Sequence, residues 1–268
     1  MIKARDLTRR FRRGSETVTA LDRVSLDIHP GELTVAAGPS GSGKTTLLSV
    51  IGGYERADAG STLADNGVPA VDGAPPFEGL PTGRMGWGEL GFVPQSLALI
   101  DELTVAENVE LPARLNPGAA GTPVDALLEG LEIGHLADRL PSQISGGEQQ
   151  RAAIGRALRL VPAILIGDEP TGHQDRRRVD LVLSLLRQHA YAGHVVLISS
   201  HDDAVISAAD RVITLADGRV VADERTHGRP RPSRTVAQAN APDASPAGAT
   251  GRARSDLATG PARSPDRS

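Results

Sequence analysis

The residues Gly38-Pro-Ser-Gly-Ser-Gly-Lys44-Thr45 stand at the spacing G-x-x-x-x-G-K-[ST]. A glycine-lined turn of this kind, opening onto a helix, aims several backbone N–H groups and the helix dipole at a dense anion. A bulkier chain would hold a polyphosphate off. The candidate nucleotide contacts are therefore Gly38, Ser40, Gly41, Ser42, Gly43, Lys44, Thr45 and Thr46, with the backbone of residues 41–46 cradling the oxygens. Lys44 is expected to neutralise the β- and γ-phosphates of ATP, and the Thr45 hydroxyl to coordinate Mg²⁺. Beyond Lys3, every lysine or arginine of the chain is arginine except Lys44. A flexible ammonium reaches β/γ oxygens where a planar guanidinium fits less easily.

A second chemical feature ends the apolar run Ala163-Ile-Leu-Ile-Gly167, which delivers Asp168 and Glu169. Ligands of open α/β sheets gather at the carboxyl ends of buried strands, so the pair is read by its place. Asp168 is expected to bind Mg²⁺ through its water shell, and Glu169 to orient and polarise an attacking water as general base. An Asp-Glu pair elsewhere would be a solvated turn. The string Ile144-Ser145-Gly146-Gly147-Glu148-Gln149-Gln150-Arg151 lies about a hundred residues after the phosphate loop.

Positioning these groups requires short buried strands alternating with helices, the pattern of a largely parallel sheet with helical crossovers, hence an α/β fold. Leu33–Ala37 reads as the strand feeding the glycine turn, and Lys44–Ile51 as the helix after it, stopped by Gly52-Gly53. Residues 151–160 read as a second helix leading through Pro162 into the Asp168 strand. Val195–Ser199 reads as another buried strand, and Arg211–Leu215 with Arg219–Val221 as a terminal hairpin around Asp217-Gly218. Residues 57–88, crowded with Gly and Pro, read as an irregular surface segment. No internal repeat is visible and one phosphate loop is present.

The bulk composition narrows the function. The 268 residues suffice for a proper core. Absence of cysteine removes disulfides, thiolate catalysis and cysteine-ligated metals. Residues 1–224 carry 21 Lys+Arg against 30 Asp+Glu, whereas residues 225–268 carry 8 Arg against 3 Asp. An acidic core argues against nucleic acid as a partner, because phosphate neutralisation by basic side chains supplies most non-specific affinity. The stretch 225–268, rich in Pro, Ala, Gly, Ser and Arg, cannot bury enough surface to offset its ordering entropy, and is expected to be a disordered tail on a domain of residues 1–224. Its arginines touching anionic lipid or a partner is the alternative. No apolar run approaches the roughly 20 residues that span a bilayer, and the start lacks the apolar stretch of a signal peptide. A cytoplasmic location is expected.

The set formed by the phosphate loop, Gln95 after Gly91-Phe-Val-Pro, Ser145-Gly146-Gly147-Glu148-Gln149, Asp168-Glu169, Asp175 and His201, in this order over residues 1–222, resembles the ATP-binding subunits of ABC transporters. The resemblance implies a phosphate-loop ATPase with a RecA-like core, a small antiparallel β layer from the N-terminal segment, and a helical lobe of about residues 96–160 carrying the Ser-Gly-Gly signature. It implies that Ser145, Gly146 and Gly147 face the γ-phosphate held by a second copy, in a head-to-tail pair closing over two Mg-ATP. His201 would bond the γ-phosphate, Gln95 would sense Mg²⁺ for the helical lobe, and Asp175 would belong to the nucleotide site. Phe11 matches the position where an aromatic ring stacks on adenine, the alternative being a core side chain. The arginines at 9, 10, 12 and 13 are read as a solvated edge.

Within the family, Ile51-Gly52-Gly53, Glu107-Asn108-Val109-Glu110-Leu111-Pro112 and Asp168-Glu169-Pro170-Thr171-Gly172 resemble the lipoprotein-release and macrolide-export branch. That implies an integral-membrane permease as partner, a place at the inner face of the membrane, and export or extraction of a hydrophobic or lipidated cargo. The cell-division ATPase that pulls on a membrane partner is a near relative, and a soluble ABC-type ATPase of translation or repair is a further alternative. The chain departs from the branch at His173-Gln174, where Asn-Leu is usual, which bears on communication between the two nucleotide sites.

Overall fold

A computed structural model of the 268-residue chain describes residues 1–64, 86–172 and 174–226. Apart from Arg225, which ends β9, and Thr226, whose N–H donates to the Asp210 carbonyl, the expected tail lies outside the described residues, as do most of the Gly/Pro-rich segment and His173. Two sheets form the frame. The larger runs β5 (Leu90–Val93), β6 (Ile164–Gly167), β7 (Val195–Ser199), β3 (Leu33–Ala37), β8 (Arg211–Ala216), β9 (Arg219–Arg225) in spatial order. Its first five strands are parallel and β9 returns antiparallel to β8. Every residue of β3, β5, β6 and β7 is buried, which is why these strands read as unbroken apolar runs rather than alternating ones.

Register decides what meets at the sheet's carboxyl edge. Val93 pairs with Gly167, Gly167 with Ile198, and Ala36 with Ser199. The residues that follow, Gly38 after β3, Gln95 after β5, Asp168-Glu169 after β6 and His201 after β7, therefore emerge side by side. Parallel pairing converts four positions far apart in sequence into one row.

The smaller sheet, ordered β2 (Glu16–Ile28), β1 (Ile2–Arg13), β4 (Ala59–Ala64), is antiparallel. Its inward residues Ile2, Leu7, Leu21 and Ile28 share one apolar cluster with Leu47, Leu48 and Ile51 of α1 (Lys44–Ile51) and with Ile166 and Leu197 of the larger sheet. The helix that follows the phosphate loop is thus held by apolar contacts from both sheets, each fully buried Leu or Ile contributing about 1.5–3 kcal/mol. The other face of the larger sheet, through Val35, Leu165, Val196 and Ile198, packs with α4 (Gly146–Leu158), α5 (Arg176–Tyr191) and α6 (Asp203–Ala208).

Between β5 and β6 lie α2 (Val105–Leu115), α3 (Val124–Gly130), two single 3₁₀ turns and α4. A capping box starts α2, where Thr104 N donates to Glu107 Oε2 at 3.0 Å and Glu107 N to Thr104 Oγ1 at 3.2 Å. The buried Asn108 side-chain amide donates to the carbonyls of Ile100, Leu103 and Thr104, and Arg156 from α4 donates to those of Leu97 and Ala98. These bonds clamp the loop that carries Gln95 onto the helical elements.

Two expectations are corrected. The helix expected at 151 begins at Gly146, because Ser145 N and its hydroxyl both donate to Glu148 Oε2 at 2.8 Å, fixing a start that two glycines hide from propensity. Part of the segment read as irregular is strand β4, whose pairing with β1 is supplied by the partner strand rather than by its own Gly-rich sequence.

Candidate functional site

A cavity of about 1100 Å³ opens between the β1–β2 hairpin and the loop after β3. Phe11–Arg13 and Val18–Ala20 form one wall, Pro39–Gly41 and Gly43–Thr46 the other, and Gln95, Glu169 and His201 the far end. Gly43 heads α1 at φ +103°, and a Cβ there would sit 2.4 Å from the Ala20 carbonyl oxygen. Only glycine lets the helix mouth come this close to the hairpin. No acidic residue occupies the first turn of α1, so its positive end is left for an anion.

Lys44 is buried, and its Nζ donates to the carbonyls of Gly38 at 2.7 Å and Pro39 at 2.9 Å. These bonds hold the ammonium within its own loop, and among the described residues no carboxylate pairs with it. Ser42, also buried, has an Oγ with no partner among the described residues. A buried cation without a counter-ion beside a glycine-lined helix mouth fits a polyphosphate.

The carboxylates are set by one hydroxyl. Ser199, wholly buried at the end of β7, donates from Oγ to Asp168 Oδ1 at 2.5 Å and accepts from Glu169 N at 2.8 Å. Asp168 is held inward and buried. Glu169 turns outward in a left-handed conformation, φ +51°, and its Oε1 meets His201 Nδ1 at 2.8 Å. The histidine side chain is 70% exposed. Thr45, Gln95 and Asp168 line one smaller cleft of about 420 Å³ next to the main cavity. A hydroxyl, an amide oxygen and a single carboxylate form a hard, all-oxygen donor set of the kind that holds Mg²⁺ together with phosphate and water. The residues present fit both ATP and Mg²⁺.

Phe11 is half-buried in the cavity wall rather than in the core, and the Arg9 guanidinium lies over its ring at 4.6 Å. Arg9 is anchored by Glu55 and Asp58 at 2.8 Å each. The reading of these arginines as a solvated edge is corrected in part: Arg9 is tied down, and Arg12 and Arg13, though exposed, line the cavity.

Other expected site residues lie elsewhere in the single chain. Ser145, Gly146 and Gly147 form the exposed to half-exposed start of α4 and do not line the cavity. Bonds from the Ser145 amide and hydroxyl hold the Glu148 carboxyl below the usual carboxylate range. Asp175 is the N-cap of α5, accepting from Arg178 N at 3.1 Å, and that bond with the Arg178 side chain lowers its carboxyl in turn. Gly38 and Ser42 are not among the residues lining the cavity, and a Cβ at Gly38 would sit 2.2 Å from the Leu215 carbonyl oxygen. Sequence reasoning missed Ser199 and Gln150, the latter buried on α4 with Nε2 donating to the Glu169 carbonyl at 2.6 Å. A serine closing an otherwise apolar strand beside the Asp168 strand was the available signal for the first.

Comparison with known proteins gives the following likenesses. The family described as ABC transporter matches residues 21–172. The macrolide export ATP-binding/permease protein MacB 1/2 of Paracoccus denitrificans is 37% identical over 241 residues, covering 84% of this chain and 34% of that protein. An uncharacterized ABC transporter ATP-binding protein of Mycobacterium tuberculosis is 38% identical over 218 residues, covering 80% of this chain and 64% of that protein. The chain thus spans about a third of the first and under two thirds of the second. Among solved structures, the dimeric post-hydrolysis state of the ATP-binding cassette MJ0796 bound to ADP and Pi superposes with TM-score 0.73 at 32% identity, covering 85% of this chain and all of that one.

Proposed function

The chain belongs to the ABC transporter family, and from that premise we propose that it is the ATP-hydrolysing subunit of an export system similar to MacB. One observation carries the reading. A single cavity is lined at once by the phosphate loop, Gln95, Glu169 and His201, while the Ser145-Gly146-Gly147 turn stands exposed outside it. In this reading the lined cavity is the cis half of a phosphate site, and the exposed Ser145-Gly146-Gly147 turn is offered to a second copy as the trans half.

In this reading Lys44 and the amides of residues 41–46 grip the β- and γ-phosphates, and Phe11 meets the base. Thr45, Gln95 and Asp168 would hold Mg²⁺, which when bound supplies charge neutralisation of the phosphates. Glu169 accepts the proton of the attacking water at its carboxylate, and His201, whose Nδ1 meets Glu169 Oε1, keeps that carboxylate turned toward the cavity with its Nε2 edge left for the γ-phosphate. A second copy, approaching head to tail, brings its Ser145-Gly146-Gly147 amides and α4 dipole to the same phosphate, completing an electrostatic clamp that hydrolysis releases. The dimeric state of the ATP-binding cassette structure supports this pairing.

No helix among the described residues is long and apolar enough to cross a membrane. Transport therefore needs a permease segment, and the MacB relatives are named ATP-binding/permease proteins, of which this chain matches about a third. We infer a membrane permease as partner, docking at the cytoplasmic face, and a hydrophobic or lipidated cargo. Glu169→Gln tests the chemistry: ATP binding persists while hydrolysis falls by about 10²–10⁴-fold, the range for loss of a general base. Near wild-type turnover in that variant would remove Glu169 from the mechanism.

A further inference from the structure

Glu169 holds a left-handed backbone, φ +51°, which costs a residue with a Cβ about 1–2 kcal/mol. Such a conformation persists only where the surroundings over-determine it. Here both flanking peptide groups are pinned. On the amino side, Glu169 N donates to Ser199 Oγ at 2.8 Å. On the carboxyl side, the Glu169 carbonyl accepts from Gln150 Nε2 at 2.6 Å and from Gly172 N at 3.1 Å.

Gln150 is 5% exposed and belongs to α4, five residues beyond Ser145. Its amide has one usable orientation, because a flipped amide would set Oε1 against the Glu169 carbonyl oxygen at 2.6 Å, two acceptors in contact. That orientation is reinforced from behind, where Gln150 Oε1 accepts from Gln174 Nε2 at 3.3 Å. Gln174 Nε2 also reaches the Pro170 carbonyl at 3.4 Å, and its Oε1 is buried without a partner among the described residues. An apolar side chain at this position would leave Gln150 Oε1 without that donor.

We propose that Gln150 is a positioning residue that ties the Ser145-Gly146-Gly147 turn to the aim of the Glu169 carboxylate, with Gln174 locking the Gln150 amide in its donating orientation. Fewer than two helical turns separate the turn from Gln150, so a shift or rotation of α4 when the turn engages a phosphate is carried rigidly to the Glu169 carbonyl. The two halves of the proposed pair then communicate inside each chain through one side chain. This rests on the reading of Glu169 as general base.

The test compares Gln150→Glu, which replaces the donor by an acceptor of the same size, with Gln174→Ala, Glu169→Gln and the Gln150→Glu/Glu169→Gln double variant. Turnover and the Kd of a fluorescent ATP analogue are read for each. Gln150→Glu is expected to lower kcat about tenfold, the equivalent of one lost hydrogen bond to a strained group, with Kd within about twofold. Gln174→Ala, whose side chain is only half-buried, is expected to lower kcat about threefold, also without a change in Kd. In the Glu169→Gln background the Gln150 change should alter residual turnover by less than about twofold, since a residue acting through Glu169 has nothing left to act on. Wild-type kcat in Gln150→Glu, or the same fold-loss in both backgrounds, overturns the proposal while leaving the base reading intact. Wild-type turnover in Glu169→Gln overturns the base reading and the proposal with it.

Discussion

Ser199→Ala removes one oxygen that sits between the two carboxylates. Its hydroxyl gives a 2.5 Å bond to Asp168 Oδ1 and receives a 2.8 Å bond from Glu169 N, at a site with no solvent exposure. A bond to a charged group contributes about 1.5–3 kcal/mol and a neutral one about 1 kcal/mol, so the folded site loses about 2.5–4 kcal/mol if nothing refills the space. Asp168 is 3% exposed, so its carboxylate oxygen and the Glu169 N–H are left without water. The least costly relaxation is rotation of Asp168 and release of the Glu169 backbone from its left-handed well. If a third to two thirds of that energy appears in the transition state, kcat falls about 4- to 90-fold. The phosphate loop is untouched, so ATP affinity stays within about twofold. Steady-state phosphate release, with nucleotide binding measured in parallel and melting used to confirm folding, reads all three. Turnover of Ser199→Ala within twofold of wild type would refute the reasoning that one hydroxyl sets both carboxylates. Loss of ATP binding in step with turnover would refute it as well.

Two further outcomes follow from contacts outside the catalytic row. Arg9 lies over the Phe11 ring, a cation–π contact of about 0.5–1 kcal/mol, so Arg9→Ala should weaken ATP two- to fivefold by calorimetry yet leave inorganic triphosphate unaffected. Equal weakening of both ligands would place Arg9 on the phosphates instead. His189, stacked on His194 and bonded through Nε2 to the Pro162 carbonyl, is pushed down to about 4 by burial, with the neighbouring imidazole adding to the shift. The unfolded chain takes up that proton first, near 6.5, so stability is complete above that pH and is lost as pH falls toward 4, by about 3 kcal/mol at most. Urea unfolding at pH 7 and pH 4.5 should show a smaller loss for His189→Gln than for wild type, and equal losses would contradict the assignment.

What the sequence discloses about this site is what strand and turn chemistry write locally. The phosphate loop announces itself because Gly43 has no substitute where the helix mouth nears Ala20. The Asp168-Glu169 pair is readable because a wholly buried strand ends on it. Parallel pairing then makes Gln95 and His201 neighbours of that pair, an outcome of register rather than of any residue's own preference. Four things were not legible. The start of α4 is masked by Gly146 and Gly147 and set by Ser145 bonding to Glu148. Strand β4 takes its identity from β1, across a bulged register. The roles of Ser199 and Gln150 exist only through contacts spanning 30 and 19 residues, where no periodicity points. Arg9 reads as surface charge until Glu55 and Asp58 pin it over Phe11.

The central claim is that each phosphate site is shared between two chains, and mixing tests it directly. Lys44→Ala disables the gripping half and Ser145→Arg the sealing half, so each variant alone should be inactive. In an equimolar mixture, a mixed pair joins one intact phosphate loop to one intact Ser-Gly-Gly turn, so ATPase activity should reappear at about a quarter of wild type if half the pairs are mixed and each holds one working site of two. Activity in either variant alone, or a mixture that stays silent while both chains are folded and paired, would contradict the account.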